Sequence, residues 1–320
     1  MAPRPLIIDT DPGKDDAVAI LSALGVPDAL DVRMMTAAQG NVALEKTAAN
    51  ILRLCELAGR VDIAVHAGCP RPILQPSNAA PHVHGDDGLG GAGLPMPAMA
   101  LSQGHAVPAI VDAIRTSSRP VTIAGLAPLT NIAMALVMAP DIVGNIERIA
   151  VMGGSFSGGN ITPFASYNLH SDPHAARIVF ECGAPVTMVG LDVTRKTMPS
   201  PQWLAALRAT GSAAGVFVAD LWSNPTLCFN DACVIGYLLE PSLFRVERTP
   251  VEIEINDPVE IGRTRRSPSG RPVDTVMDVD VPAFFDLMRR TLCATGAEQE
   301  VLEADGAEGS RPAVARRATV

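Results

Sequence analysis

The chain has no apolar run of the roughly 20 residues that crossing a bilayer requires, and no leader precedes its first strand-like run. These absences set aside a membrane span and a secretory signal. Positive charge is also short. Lys and Arg number 25 against 34 Asp and Glu, and the net charge of −9 argues against nucleic acid as a partner. The six cysteines, at 55, 69, 182, 228, 233 and 293, form no CxxC pair and show no zinc spacing. Their simplest reading is buried, reduced thiols in a cytoplasm. Cys228 and Cys233 flank a late acidic block, but nothing else supports a redox role. There is no internal repeat. A length of 320 residues suits one large α/β domain with a full core.

What is present is concentrated near the start. Residues 7–20 read IIDTDPGKDDAVAI, with Asp9, Asp11, Asp15 and Asp16 inside eight positions. An apolar run, Leu6 to Ile8, meets an apolar helical pattern, Ala17 to Leu24, across a Pro12–Gly13 turn. Ligands of open α/β sheets bind at the carboxyl ends of strands. So many acids at one strand end repel each other unless a cation holds them. All-oxygen ligands point to a hard ion, Ca²⁺ or Mg²⁺. Stabilisation by the helix dipole accounts for Asp15 and Asp16 alone, because Asp9 and Asp11 precede the turn.

Strand-like runs at 5–9, 32–37, 62–66, 120–125, 147–152 and 185–191 alternate with helical patterns at 45–58, 106–116, 130–138 and 173–182. The alternation predicts an open, mostly parallel sheet flanked by helices. Residues 200–240 read as helices. VEIEI and VMDVDV read as a small hairpin around a Gly/Pro/Arg-rich loop, and 282–293 as a C-terminal helix. The expected domain is 1–295, with a disordered tail over 296–320.

Five blocks in order carry a resemblance. They are DTDPGKDDAVAI (9–20), GNVALEKTAANIL (40–52), APLTNIAMAL (127–136) with VMGG (151–154), GNITPFASYN (159–168) with DP (172–173), and, in part, NDACVIGYLLEPSLF (230–244). Over roughly residues 5–295 the chain resembles the nucleoside hydrolases, Ca²⁺-dependent N-ribohydrolases. The resemblance implies hydrolysis of ribonucleosides to free base and ribose, and a homodimer or homotetramer.

It also implies a site. Asp11 would be both metal ligand and general base, with Asp16, Asp231 and the Leu126 carbonyl as further ligands. Asp15 would bind ribose hydroxyls. Neighbouring helix residues point about 100° apart, so two adjacent acids can serve metal and sugar separately. Asp9 would orient the loop. Asn41, Met152, Asn160 and Asn168 would contact substrate, an amide offering both donor and acceptor to hydroxyls. Asp231 also reads as a helix N-cap, Asn41 as a turn residue and Met152 as core. In two places the chain departs from the family. Ser166 stands where a Glu is usual, which leaves room for a different 5′ substituent. Asn230 stands where a His is often proposed as the leaving-group acid, and asparagine donates no proton.

His82 and His84 lie in PHVHGDDGLGG, a loop that covers the site in relatives; its glycines suit a mobile lid. His82 is the candidate to contact or protonate the base. Trp222 reads as a base-stacking ring or as core. Two other functions stay open. DxD after the first strand suggests a Mg²⁺ phosphatase of the haloacid dehalogenase type, which leaves the Asn41 and Asn160–Asn168 segments unexplained. Asn230 and Ser166 make a ribose-binding protein without turnover credible.

Overall fold

A computed structural model describes residues 2–222 and 227–295. The expected disordered tail, 296–320, lies outside the described residues. Nine strands form one sheet: β1 (Arg4–Thr10), β2 (Leu30–Ala37), β3 (Ala64–Ala67), β4 (Val121–Gly125), β5 (Ile146–Met152), β6 (Val186–Val189), β7 (Phe244–Ile253), β8 (Thr264–Arg266) and β9 (Arg271–Val279). Their order is β3-β2-β1-β4-β5-β6-β9-β7-β8. All pairs from β3 across to β9 are parallel, and β7 runs antiparallel to both β9 and β8. The chain order reverses at β1, which lies between β2 and β4. That is the switch point at which open α/β sheets form their ligand crevice.

Helices cover both faces, so the central strands are apolar on both sides, as parallel strands must be. Successive residues of β1 show it. Leu6 and Ile8 join the core beneath helix α1 (Lys14–Leu24), whereas Ile7 joins the core on the opposite face, with Val107, Ile110 and Ile132. Helix α2 (Leu44–Leu57) packs beside α1 and β2.

The helices at 106–116 and 130–138 form over the expected residues. The far edge differs. VEIEI and VMDVDV belong to the longer strands β7 and β9, the short β8 was not anticipated, and the set extends the main sheet. The reason is topological. The helices between residues 191 and 239 lead into β7, and the reversal through β8 brings β9 back between β7 and β6, parallel to β6. Among the described residues no helix is long and apolar enough to cross a membrane, and all six cysteines are free.

One buried amide ties β1, β2 and the segment after β3 together at the switch point. Asn131 Nδ2 donates to Asp9 Oδ1 at 2.8 Å and to the Ala37 carbonyl at 3.1 Å, while its Oδ1 accepts from Cys69 N–H at 2.7 Å. Asn131→Ala leaves all three groups without this partner, and an unsatisfied buried polar group costs about 1–3 kcal/mol. A loss of about 2–4 kcal/mol is expected in denaturant titration. A loss below about 0.5 kcal/mol would show that water or repacking replaces the amide.

Candidate active site

Four carboxylates meet where β1 ends. Asp9 is the second-last residue of β1, Asp11 opens the turn, and Asp15 and Asp16 sit in the first turn of α1. A fifth, Asp231, comes from the first turn of the helix Asn230–Leu239, which packs on α1. All five are buried.

Each has a defined set of donors. Asp16 Oδ1 accepts from Thr10 Oγ1 at 2.6 Å, and its Oδ2 from Gly13 N–H at 2.9 Å and Asn41 Nδ2 at 3.2 Å. Asp11 Oδ2 accepts from Asn41 N–H at 2.7 Å, while its Oδ1 is buried with no partner. A Cβ on Gly40 would lie 1.8 Å from Asp11 Oδ2, so this approach requires glycine. Asp9 Oδ1 accepts from Thr36 and Asn131, and its Oδ2 has no partner. Asp15 Oδ2 accepts from Asn230 Nδ2 at 2.8 Å.

Burial pushes every one of these carboxyls up. Asp9 rises to about 6, with the bonds from Thr36 and Asn131 opposing the shift. Asp16 also rises to about 6, from burial and then the Asp15 charge. Asp15 is raised by burial. Asp11 and Asp231 are held well above the usual range, by burial and then by the neighbouring carboxylates, Asp16 foremost. Oxygens of Asp15, Asp16 and Asp231 lie within 4.8 Å of one another. Buried, mutually repelling acids with orphaned oxygens fit a hard divalent cation. The closest triad contains Asp15, whereas the resemblance implied Asp11. Asp11 stands beside this triad with its open Oδ1. The Leu126 carbonyl accepts from Asn168 Nδ2 at 2.5 Å, which occupies one of its two lone pairs.

Next to the acids is a cavity of about 120 Å³ that opens to solvent. Asp15, Asn41, Leu126, Met152, Asn160, Asn168, Asn230 and Asp231 line it. Asn160 Oδ1 accepts from Tyr167 N–H at 2.8 Å, which leaves its amide hydrogens free for a ligand. Asn168 Nδ2 also holds the Met152 carbonyl at 3.1 Å. Ser166 is buried off the cavity, where its hydroxyl accepts from Gly154 N–H at 2.7 Å. Trp222 stacks edge-on to Phe229 at 4.8 Å and donates to the Leu227 carbonyl, so it belongs to the core.

Residues Pro81–His84 form a short helix, α3, that brings both histidines to the cavity. His82 is exposed at the mouth, while His84 is buried. His84 Nδ1 accepts from Lys14 N–H at 3.1 Å, which fixes the ring proton of the neutral imidazole on Nε2. Burial lowers His84 to about 4. Sequence reasoning passed over His84 and Tyr167 as site residues. Only the HVH spacing hinted at the first, and a tyrosine beside Asn168 carried no signal of its own.

Residues 6–286 match the family described as inosine-uridine preferring nucleoside hydrolase. The pyrimidine-specific ribonucleoside hydrolase RihA of Salmonella agona is 38% identical over 305 residues, 90% of this chain and 98% of that protein. RihA of Escherichia coli O139:H28 is 38% identical over 301 residues, 89% and 96% of the two chains. Among solved structures, a purine-preferring ribonucleoside hydrolase from Gardnerella vaginalis superposes with a TM-score of 0.85 at 29% identity, covering 92% of this chain and all of that one. A plant nucleoside hydrolase also gives 0.85, at 30% identity over 91% of this chain and 99% of that one. The chain therefore belongs to the nucleoside hydrolase family, and it is a nucleoside N-ribohydrolase that separates ribonucleosides into free base and ribose.

Proposed function

We propose that this enzyme hydrolyses pyrimidine ribonucleosides with Ca²⁺ held by Asp11, Asp15, Asp16, Asp231 and the Leu126 carbonyl. The observation that carries the metal assignment is the convergence of buried acids from two distant segments beside one cavity. The base preference is supported by the RihA relatives, whose printed activity is pyrimidine-specific. When bound, a divalent cation supplies positive charge that lowers the pKa of a water and favours oxygen ligands.

The chain's own residues do the rest. Asp11 Oδ1 takes the proton of the attacking water, while Asn41 N–H and the absence of a side chain at Gly40 fix the carboxylate. Asp15 and the Asn160 amide hold ribose hydroxyls. Asn168 keeps the Met152 and Leu126 carbonyls in place under the sugar. Asn230 orients Asp15, a task that needs no proton transfer. On the leaving-group side, His84 presents Nε2–H inside the cavity as a hydrogen-bond donor. His82, exposed at the mouth, passes a proton to the departing base. The enzyme acts as a homodimer or homotetramer in the cytoplasm. Ser166, turned away onto Gly154, leaves the 5′ side of the sugar without a carboxylate.

A ribose-release assay over uridine, cytidine, inosine and adenosine, with and without chelator, tests this function. Uridine and cytidine should lead, chelation should abolish release and lower Tm, and 2′-deoxyuridine should be poorer by up to about 10⁴. Release that survives complete metal removal would end the metal assignment. Equal kcat/KM for uridine and inosine would end the base preference.

Asp11→Asn retains shape and loses the base. Its kcat should fall by about 10²–10⁴, and near-native kcat would assign the base elsewhere.

His82→Ala should slow uridine by more than tenfold and leave p-nitrophenyl riboside, whose leaving group needs no proton, within about threefold. If both substrates are spared, His82 is not the acid.

A further inference from the structure

The loop that carries the histidines is bound to the acidic turn by one buried side chain of α2. Asn50 is completely buried. Its Nδ2 donates to the Asp87 carbonyl at 2.8 Å and to the Pro12 carbonyl at 3.3 Å, and its Oδ1 accepts from Arg53 Nη1 at 3.1 Å. One amide group thus joins the loop after α3 to the turn between β1 and α1. The packing around it is tight. A Cβ on Gly88, whose φ is +86°, would lie 2.8 Å from the Pro12 carbonyl and 2.9 Å from Asn50 Nδ2. Asp87 accepts from the backbone N–H groups of Leu89 and Gly91, so the loop is braced internally. Among its polar ties to the rest of the protein are Lys46 Nζ to the Asp86 carbonyl and Lys14 N–H to His84 Nδ1. The Lys46 tie is exposed, whereas the Asn50 bonds come from a side chain that is itself completely buried.

We infer that Asn50 is a positioning residue for the reaction. It touches neither substrate nor metal ligand. It fixes the distance between the part of the site that activates water and the part that meets the leaving base. No substitution reproduces two N–H donors aimed at two carbonyls. Aspartate would set an oxygen against both carbonyls, and alanine would leave them apart. The consequence is specific. A loosened loop harms departure of a base that needs help and spares a leaving group that needs none.

This inference rests on the hydrolase mechanism above, so its test has one arm that does not depend on turnover. In the metal-loaded enzyme, hydrogen exchange of residues 81–91 should quicken by about tenfold in Asn50→Ala, the scale of two lost hydrogen bonds, while α1 is unchanged. In the second arm, kcat/KM for uridine should fall by about 10–100-fold, with p-nitrophenyl riboside within threefold. Gly88→Ala pushes the same loop off from its own side, and should reproduce both results if Asn50→Ala does not fold. Unchanged exchange over 81–91 would overturn the inference, as would equal losses on both substrates. Should wild-type enzyme prefer inosine to uridine, only the base preference fails, and the same comparison is made with inosine.

Discussion

Repulsion among buried carboxylates is the constraint around which this molecule is arranged. Five acids sit out of water within one corner of the fold, and burial alone drives each towards its neutral form. Left to themselves they would oppose folding. The surrounding structure answers in two ways. It aims N–H and O–H donors at individual oxygens, from Thr10, Gly13, Thr36, Asn41, Asn131 and Asn230. It leaves other oxygens without any donor, at Asp9 Oδ2 and Asp11 Oδ1. The donors alone do not offset burial, since every shift stays upward. The remaining demand is for a cation, and that demand makes metal binding and stability parts of one equilibrium.

The sheet topology explains why the acids can be so close. At β1 the connections diverge, β2 leaving to one side and β4 to the other, so no crossover covers the end of the strand. The turn at Asp11–Gly13 fills that gap, and the helix Asn230–Leu239 approaches from the far half of the chain to add Asp231. The amides follow the same geometry. Asn41 follows β2, Asn131 lies on the helix after β4, and Asn160 and Asn168 follow β5. The strand ends bring these segments together, and hydrogen bonds within the following loops, such as Tyr167 N–H to Asn160 Oδ1, set the side chains.

That dependence separates what was legible in the sequence from what was not. The strands and the acids of the first turn were readable because their signals are local: apolar runs of strand length, then carboxylates at a turn. Asp231, Asn41, Asn160 and Asn168 rested on the resemblance, and the structure brings all four to the cavity. Side-chain direction was not local information. Ser166 and Asn168 are two residues apart, the first an extended residue that caps a short helix and the second inside it, and only Asn168 lines the cavity. His82 and His84 are likewise two apart, and one is exposed while the other is buried. On a helix two residues differ by about 200°, which puts them on opposite sides. The parallel pairing of β9 to β6 was hidden for a related reason, since nothing in a strand's own residues names its partner. The glycine-rich loop reads differently once contacts are known. Its positive φ angles shape a segment that Asn50, Lys46 and Lys14 hold against the site.

Asn230 connects these points. A histidine at that position would bring a proton to the leaving group; the asparagine brings a fixed donor to Asp15. Electrostatically that is the smaller perturbation, because a neutral amide adds no charge that must be balanced by the acids. In the proposed mechanism the cost falls on the leaving group, whose departure is assigned to the histidines of α3, which also line the cavity. In that mechanism water activation belongs to the turn after β1 and base departure to α3. Here the two tasks lie on separate elements, and their alignment is only as good as the contact between the loop and the turn. The same residue that simplifies the acidic cluster therefore raises the demand on the buried amide that joins them.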